Sequence, residues 1–143
     1  MLSNSSKYAL KAVLFLAVHS DSKKKILVKD FSKLINVPKA YLSKLLQKLA
    51  RHNIVSSMRG PRGGFYLNNE NRAVHLIEII NVIDGEKRLT SCMLSLNKCK
   101  EEHPCPLHDL LGDTKTHFLK KIEETTVEDL VSDIREGKSF LPL

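Results

Sequence analysis

The chain has 143 residues, 42% of them hydrophobic, and a formal net charge of +7. That length supports one compact core with an appended arm and is too short for two full domains. The longest apolar run, Ala12 to Val18, is too short to cross a bilayer, and with only Lys7 and Lys11 ahead of it the amino-terminus makes a poor signal peptide. A cytoplasmic protein without membrane attachment is therefore expected. The charge is unevenly spread: residues 1–72 hold 14 Lys and Arg against three acids, a net of +11, and the remainder nets −4. A basic half joined to an acidic half fits a nucleic-acid-binding module with a regulatory or assembly segment.

In chain order, Tyr8 to Val18 is apolar on nearly every side apart from Lys11, which predicts a helix enclosed by the fold. Val28 to Ile35 predicts a short helix with Phe31, Leu34 and Ile35 facing inward, interrupted at Asn36-Val37-Pro38. A second helix follows, in which Leu42, Leu45, Leu46 and Leu49 recur on one face. Two helices across a tight turn predict a helix-turn-helix. Ile54 to Met58 and Phe65 to Leu67 have strand character around the turn-forming run Arg59-Gly60-Pro61-Arg62-Gly63-Gly64, which predicts a β-hairpin. Helix, turn, helix and hairpin in that order describe a winged helix-turn-helix.

Val74 to Ile83 reads as an amphipathic helix ended by Gly85. From Pro106 to Glu124 a helical pattern carries Leu107, Leu110, Leu111, Phe118, Leu119 and Ile122 as an apolar stripe on a charged segment, and such a stripe needs a partner. Thr125 with Glu128 predicts a capping box for a last helix bearing Val127, Leu130, Val131 and Ile134, ended by Gly137. The expected organisation is a DNA-binding domain over 1–85, a cysteine-rich loop over 86–106, and helices over 107–143. The fold class is mainly α, with a two-stranded wing and a long carboxy-terminal helix.

On the second helix of the pair, Lys39, Lys44, Lys48 and Arg51 can neutralise phosphates, while Ala40, Tyr41 and Ser43 stand where base edges and thymine methyls would be met. Arg59 and Arg62 flank Pro61 in the wing, a composition suited to a narrow minor groove. The Gly-rich wing lacks the Gly-Lys-Ser/Thr ending of a phosphate-binding loop, which argues against nucleotide binding. A winged helix can also bind proteins, and the basic half weighs against that reading here.

All three cysteines, Cys92, Cys99 and Cys105, fall in one stretch, with His108 three residues after the last. An odd number without an export signal disfavours a disulfide framework and points to metal or redox chemistry. Thiolate and imidazole are the ligand types of iron-sulfur clusters and of zinc. The intervals contain no tight Cys-x-x-Cys pair, which suits the wider footprint of a cluster. Zinc and unligated thiols stay open on spacing, and His103 is a nearby competitor. The missing pair also disfavours a thiol oxidoreductase, and no enzymatic activity is expected.

The segments Lys7-Tyr8-Ala9-Leu10, Tyr41-Leu42, Val55 to Phe65 and Cys105-Pro106-Leu107-His108, together with Cys92 and Cys99, are similar to the Rrf-two family of winged-helix regulators, in its IscR branch, over nearly the whole chain. The resemblance implies a homodimer whose long helix crosses its twin, making Leu107, Leu111, Phe118 and Ile122 dimerisation residues. It implies a 2Fe-2S cluster on Cys92, Cys99, Cys105 and His108, read out as affinity for a double-stranded DNA operator. In the 4Fe-4S, nitric-oxide-sensing NsrR branch a carboxylate near the partner's amino-terminus is a ligand, and the matching place here holds Lys7. Two features depart from the IscR pattern: the interval from Cys92 to Cys99 is one residue longer, and Arg62 stands in place of glycine. The expected function is a DNA-binding regulator, a repressor, sensing iron-sulfur status, redox stress or nitric oxide. The rivals are a zinc-binding interaction module and a cluster-free thiol sensor.

Overall fold

The computed structural model describes residues 2–95 and 97–143. The first helix, α1 (Asn4–His19), is the centre of the core and packs against most of the other elements. Ser3 caps it by accepting the Ser6 N–H at 3.0 Å. Its small Ala9, Ala12 and Ala17 are fully buried and let neighbours approach closely, while Phe15 stacks on Phe31 with ring centroids 5.3 Å apart. Among the described residues no helix is long and apolar enough to cross a membrane.

Helix α2 (Val28–Phe31) stops earlier than the expected Ile35, and the chain then turns through Asn36 at φ 55°. Asparagine tolerates that left-handed conformation better than most residues because its short side chain can bond locally. Phe31 and Ile35 are buried as expected, but Leu34 is 56% exposed. One more helical bond, from the Ile35 N–H to the Phe31 carbonyl, precedes the turn, and Val37 beyond it, 4% exposed, fills an inner position in place of Leu34. Helix α3 (Lys39–Arg51) follows, with Leu42, Leu45, Leu46 and Leu49 buried in the predicted pattern.

The wing pairs β1 (Ser56–Met58) with β2 (Gly64–Tyr66) antiparallel, Ser56 opposite Tyr66 and Met58 opposite Gly64. Ile54 and Val55, expected in the strand, enter the core instead. Ile26 adds a third rung by exchanging two backbone hydrogen bonds with Phe65, at 2.9 and 2.8 Å. The wing's base is held by buried Asn71 in α4 (Asn69–Arg72), which caps reciprocally with Asn68, accepts the Ser56 hydroxyl at 2.8 Å and donates to the Asn53 carbonyl at 2.9 Å.

Helix α5 (Leu76–Asp84) ends at Gly85, whose φ of 86° suits glycine. Helix α6 (Lys87–Thr90) leads into the cysteines, and α7 (His108–Glu124) and α8 (Val127–Arg135) complete the chain. Helix α8 returns to α1 and buries Val127 and Val131 in the common core. Its capping box lies one residue later than expected, on Thr126 and Asp129 rather than Thr125 and Glu128. The Leu76 N–H donates to the Thr125 carbonyl and the Val127 N–H to the Val74 carbonyl, and this tertiary pairing fixes which threonine enters the helix.

The backbone N–H of Thr126, and then its hydroxyl, hold the Asp129 carboxyl below the usual carboxylate range. A lowered folded-state pKa means the cap stabilises α8 above the unfolded pKa of about 3.9, and the contribution fades as pH falls through the folded value. Asp129→Asn should accordingly lower the melting temperature at neutral pH and make no difference at pH 2. A difference that persists undiminished in acid would refute this origin.

Candidate nucleic-acid interface and sulfur centre

Because one face of α3 is committed to the core, its polar residues must point outward. Lys39, Ala40, Lys44, Gln47, Lys48 and Arg51 are exposed and Ser43 is half-buried. Arg59, Pro61 and Arg62 are exposed at the wing tip. Among the described residues, none of Lys39, Lys44, Arg51, Arg59 and Arg62 is in an ion pair, so their charge is available to a polyanion. Between α3 and the wing runs a groove of about 770 Å³ lined by Gln47, Arg51, Met58 and Arg59.

Two of the expected contact residues are exposed but also reach back to the body of the fold. Tyr41 meets Tyr8 edge-on at 5.9 Å, and its hydroxyl contacts that of Ser5. The Lys48 ammonium lies 3.5 Å from the Ile83 carbonyl at the end of α5. Both therefore tie α3 to the body of the fold.

Sequence reasoning did not single out Gln47, which lines the groove between α3 and the wing. It also missed Lys25, whose ammonium sits 5.2 Å above the Tyr66 ring. Lys25 ends the run Lys23-Lys24-Lys25, and the Ile26 to Phe65 pairing brings it to the wing.

The sulfur centre is built by two chain segments. After α6, the Ser91 N–H bonds the Lys87 carbonyl and the Cys92 N–H bonds the Asn97 carbonyl at 2.7 Å, folding the loop back on itself. Ahead of α7, the Cys105 carbonyl accepts the His108 N–H at 2.9 Å. The three Sγ atoms consequently lie within 4.8 Å of one another, with Cys92 and Cys105 at 3.4 Å. All three cysteines are free and half-buried. A tetrahedral metal with sulfur bonds of ~2.3 Å sets its sulfurs ~3.8 Å apart, so this soft donor set fits a metal or cluster core.

The Leu94 N–H, 3.5 Å from the Cys92 sulfur, and then the Cys105 thiol hold Cys92 below its ordinary range. Cys92 beside it pushes the Cys99 thiol up. The Lys115 ammonium rests on the Ser91 carbonyl.

His108 is half-buried in the first turn of α7 and is not among the atoms within 4.8 Å. It lines, with Cys99, Cys105, Leu111 and Lys115, a cavity of about 310 Å³ beside the sulfurs. His103 is exposed. On α7 no residue is fully buried: Leu111, Phe118 and Ile122, like Leu107 at its N-cap, are half-buried, and Leu110 is 72% exposed.

Comparison with known proteins agrees with this architecture. The chain is 29% identical over 145 residues to an HTH-type transcriptional regulator of Aquifex aeolicus, covering all of this chain and 98% of that one. It is 27% identical over 132 residues to the HTH-type transcriptional regulator IscR of Xenorhabdus nematophila, covering 92% and 79%. Among solved structures, CymR, the global cysteine regulator of B. subtilis, superposes with a TM-score of 0.74 at 24% identity over 92% of this chain and 96% of that one. T. potens IscR does so with a TM-score of 0.72 at 21% identity, covering 99% and 93%. These two likenesses show the winged-helix fold. The profile described as Rrf2, iron-dependent transcriptional regulator, matches residues 2–133, and the chain therefore belongs to the Rrf2 family of DNA-binding transcriptional regulators rather than to any enzyme class.

Proposed function

We propose that the protein is a homodimeric, sequence-specific repressor that senses iron-sulfur status, redox stress or nitric oxide through a cluster on Cys92, Cys99, Cys105 and His108. The observation that carries this reading is the convergence of three sulfurs from the two ends and the middle of a 14-residue segment. His108, in the adjoining cavity, is the fourth ligand. When bound, the 2Fe-2S group supplies a redox- and nitric-oxide-sensitive centre. The protein's own contribution is to order residues 86–106 between the DNA-reading part, 1–85, and helices 107–143.

In this reading Lys39, Lys44, Lys48 and Arg51 contact phosphates, and Ala40, Ser43 and the exposed edge of Tyr41 face bases. Arg59, Pro61 and Arg62 enter the minor groove. Leu107, Leu111, Phe118 and Ile122 meet their counterparts in a second copy, which places two recognition helices about one helical turn apart on the operator. A cluster-free thiol sensor is the second reading, favoured by the 3.4 Å between the Cys92 and Cys105 sulfurs.

Iron and sulfide assay on protein purified without oxygen tests the first reading. About two of each per subunit supports it, and about four points to a 4Fe-4S group. No iron after reconstitution moves the assignment to thiols or zinc. Affinity for DNA should fall steeply with salt, and Arg59→Ala should lose about 1–3 kcal/mol of binding without altering the dimer. Unchanged affinity in that variant would remove the wing from the interface.

A further inference from the structure

Asp84 breaks a local rule. A helix carboxy-terminus favours basic side chains, yet the last turn of α5 has none and ends on a carboxylate. Helix α1 shows the complementary defect, since its first turn, where acids are favoured, contains no acid. The structure joins the two defects. The Ser3 hydroxyl donates across both Asp84 carboxylate oxygens at 2.6 Å, and the hydroxyl of fully buried Ser6 donates to one of them at 2.6 Å. Ser3 at the same time caps α1. Asp84 thus supplies the negative charge at the amino-terminus of α1, from a distance of 81 residues along the chain.

Each end of this clamp leads to one of the two sites. On the α5 side, Asp84 is followed by Gly85 at φ 86°, then by α6, and Cys92 comes eight residues after Asp84. On the α1 side, Ser5 lies between the two serines that hold Asp84, its hydroxyl meets Tyr41 in the first turn of α3, and Tyr8 one turn on holds the same ring edge-on. The Lys48 ammonium at the Ile83 carbonyl is a second, weaker tie between α3 and the end of α5. The recognition helix is therefore anchored on the first turn of α1, and that turn is anchored on the residue from which the cysteine segment departs.

We infer that Asp84 is a positioning residue that couples the cysteine segment to the recognition helix through Ser3, Ser6 and Tyr41. A change in the order of residues 86–106 pulls on the Gly85 hinge and the carboxylate ahead of it. The first turn of α1 shifts with that carboxylate and takes the Tyr41 end of α3 with it. This deepens the sensor reading and rests on it. The contact biases two arrangements of one packed junction, which is what coupling between distant sites requires physically.

The test uses full-length protein, metal-free and cluster-loaded, and a duplex that the wild type selects from a random-sequence pool. If the wild type distinguishes the two states in affinity, Asp84→Ala should bring the ratio to within about twofold of one, with Asp84→Asn, which keeps one acceptor oxygen, falling between. Ser6→Ala, a milder change on the other side of the contact, should also shrink the ratio. A ratio retained in all three variants, with affinity lowered equally in both states, would make Asp84 a simple staple and overturn the inference.

Amide hydrogen exchange of the metal-free protein gives a readout independent of any cluster. Asp84→Ala should accelerate exchange at least about threefold both in residues 39–46 and in residues 86–95. Acceleration confined to α1 and the end of α5 would overturn the coupling. A wild type with equal affinities in the two metal states would instead refute the sensor reading, leaving exchange alone to decide on Asp84.

Discussion

Replacing Cys105 by serine is expected to abolish iron loading while leaving the core folded. Cys105 is the sulfur through which both parts of the centre meet: it lies 3.4 Å from Cys92 and lines the 310 Å³ cavity with Cys99 and His108. A serine hydroxyl is a hard donor that stays protonated at neutral pH and is a poor substitute for thiolate on iron. The backbone role of residue 105, accepting the His108 N–H at the entry to α7, survives the substitution. Since the residue is only half-buried, stability should change by no more than about 0.5 kcal/mol. In the proposed centre His108→Ala removes one ligand of a set that still holds three thiolates, so it should shorten cluster lifetime without preventing assembly. Iron and sulfide content, visible absorption and a thermal melt separate the two variants. Wild-type iron content in Cys105→Ser would exclude this centre.

The second large effect belongs to the wing. Gly64 has φ 142°, and a Cβ there would lie 2.7 Å from the Ile26 carbonyl oxygen and 2.8 Å from its carbon. Both atoms are backbone, held by the two hydrogen bonds between Ile26 and Phe65, so neither can retreat without breaking the third rung of the sheet. Gly64→Ala should therefore combine backbone strain of about 1–3 kcal/mol with loss of that pairing, which corresponds to a fall of roughly 6–10 °C in melting temperature. Affinity for DNA should drop by more than stability alone predicts, because Arg59 and Arg62 lose their placement. Gly60 is the control: its φ of 106° imposes strain, but a Cβ there meets nothing within 4 Å. Gly60→Ala should lose less than half as much stability, and equal losses would disprove the steric explanation.

What could be read from sequence depended on how local its cause was. The four leucines of α3 and the apolar body of α1 declare themselves because helical spacing and burial coincide. Leu34 misled because the periodic pattern continues one turn past the last helical residue, and only the left-handed Asn36 stops it. The cap of α8 was displaced because Thr125 and Thr126 each have an acid three residues on, and the choice is made by pairing with Val74 and Leu76. The cysteine spacing proposed a common centre and the three sulfurs do meet, but it did not reveal that His108 stands at an adjoining cavity rather than among them. The contacts of Asp84 with Ser3 and Ser6 were beyond reach, because no pattern relates residues 81 and 78 positions apart.

The chain has no tryptophan, and its three tyrosines are Tyr8, Tyr41 and Tyr66. Two of them form the edge-on pair at the junction of α1 and α3, and the third lies beneath Lys25 in the wing. Every tyrosine therefore sits in the first 85 residues, and none lies beyond Gly85. In metal-free protein, melting confined to the cysteine loop and α7 lowers helical circular dichroism but leaves the tyrosine emission dark to the event. Unfolding followed by the two signals together therefore resolves which half of the molecule gives way first, with no label attached.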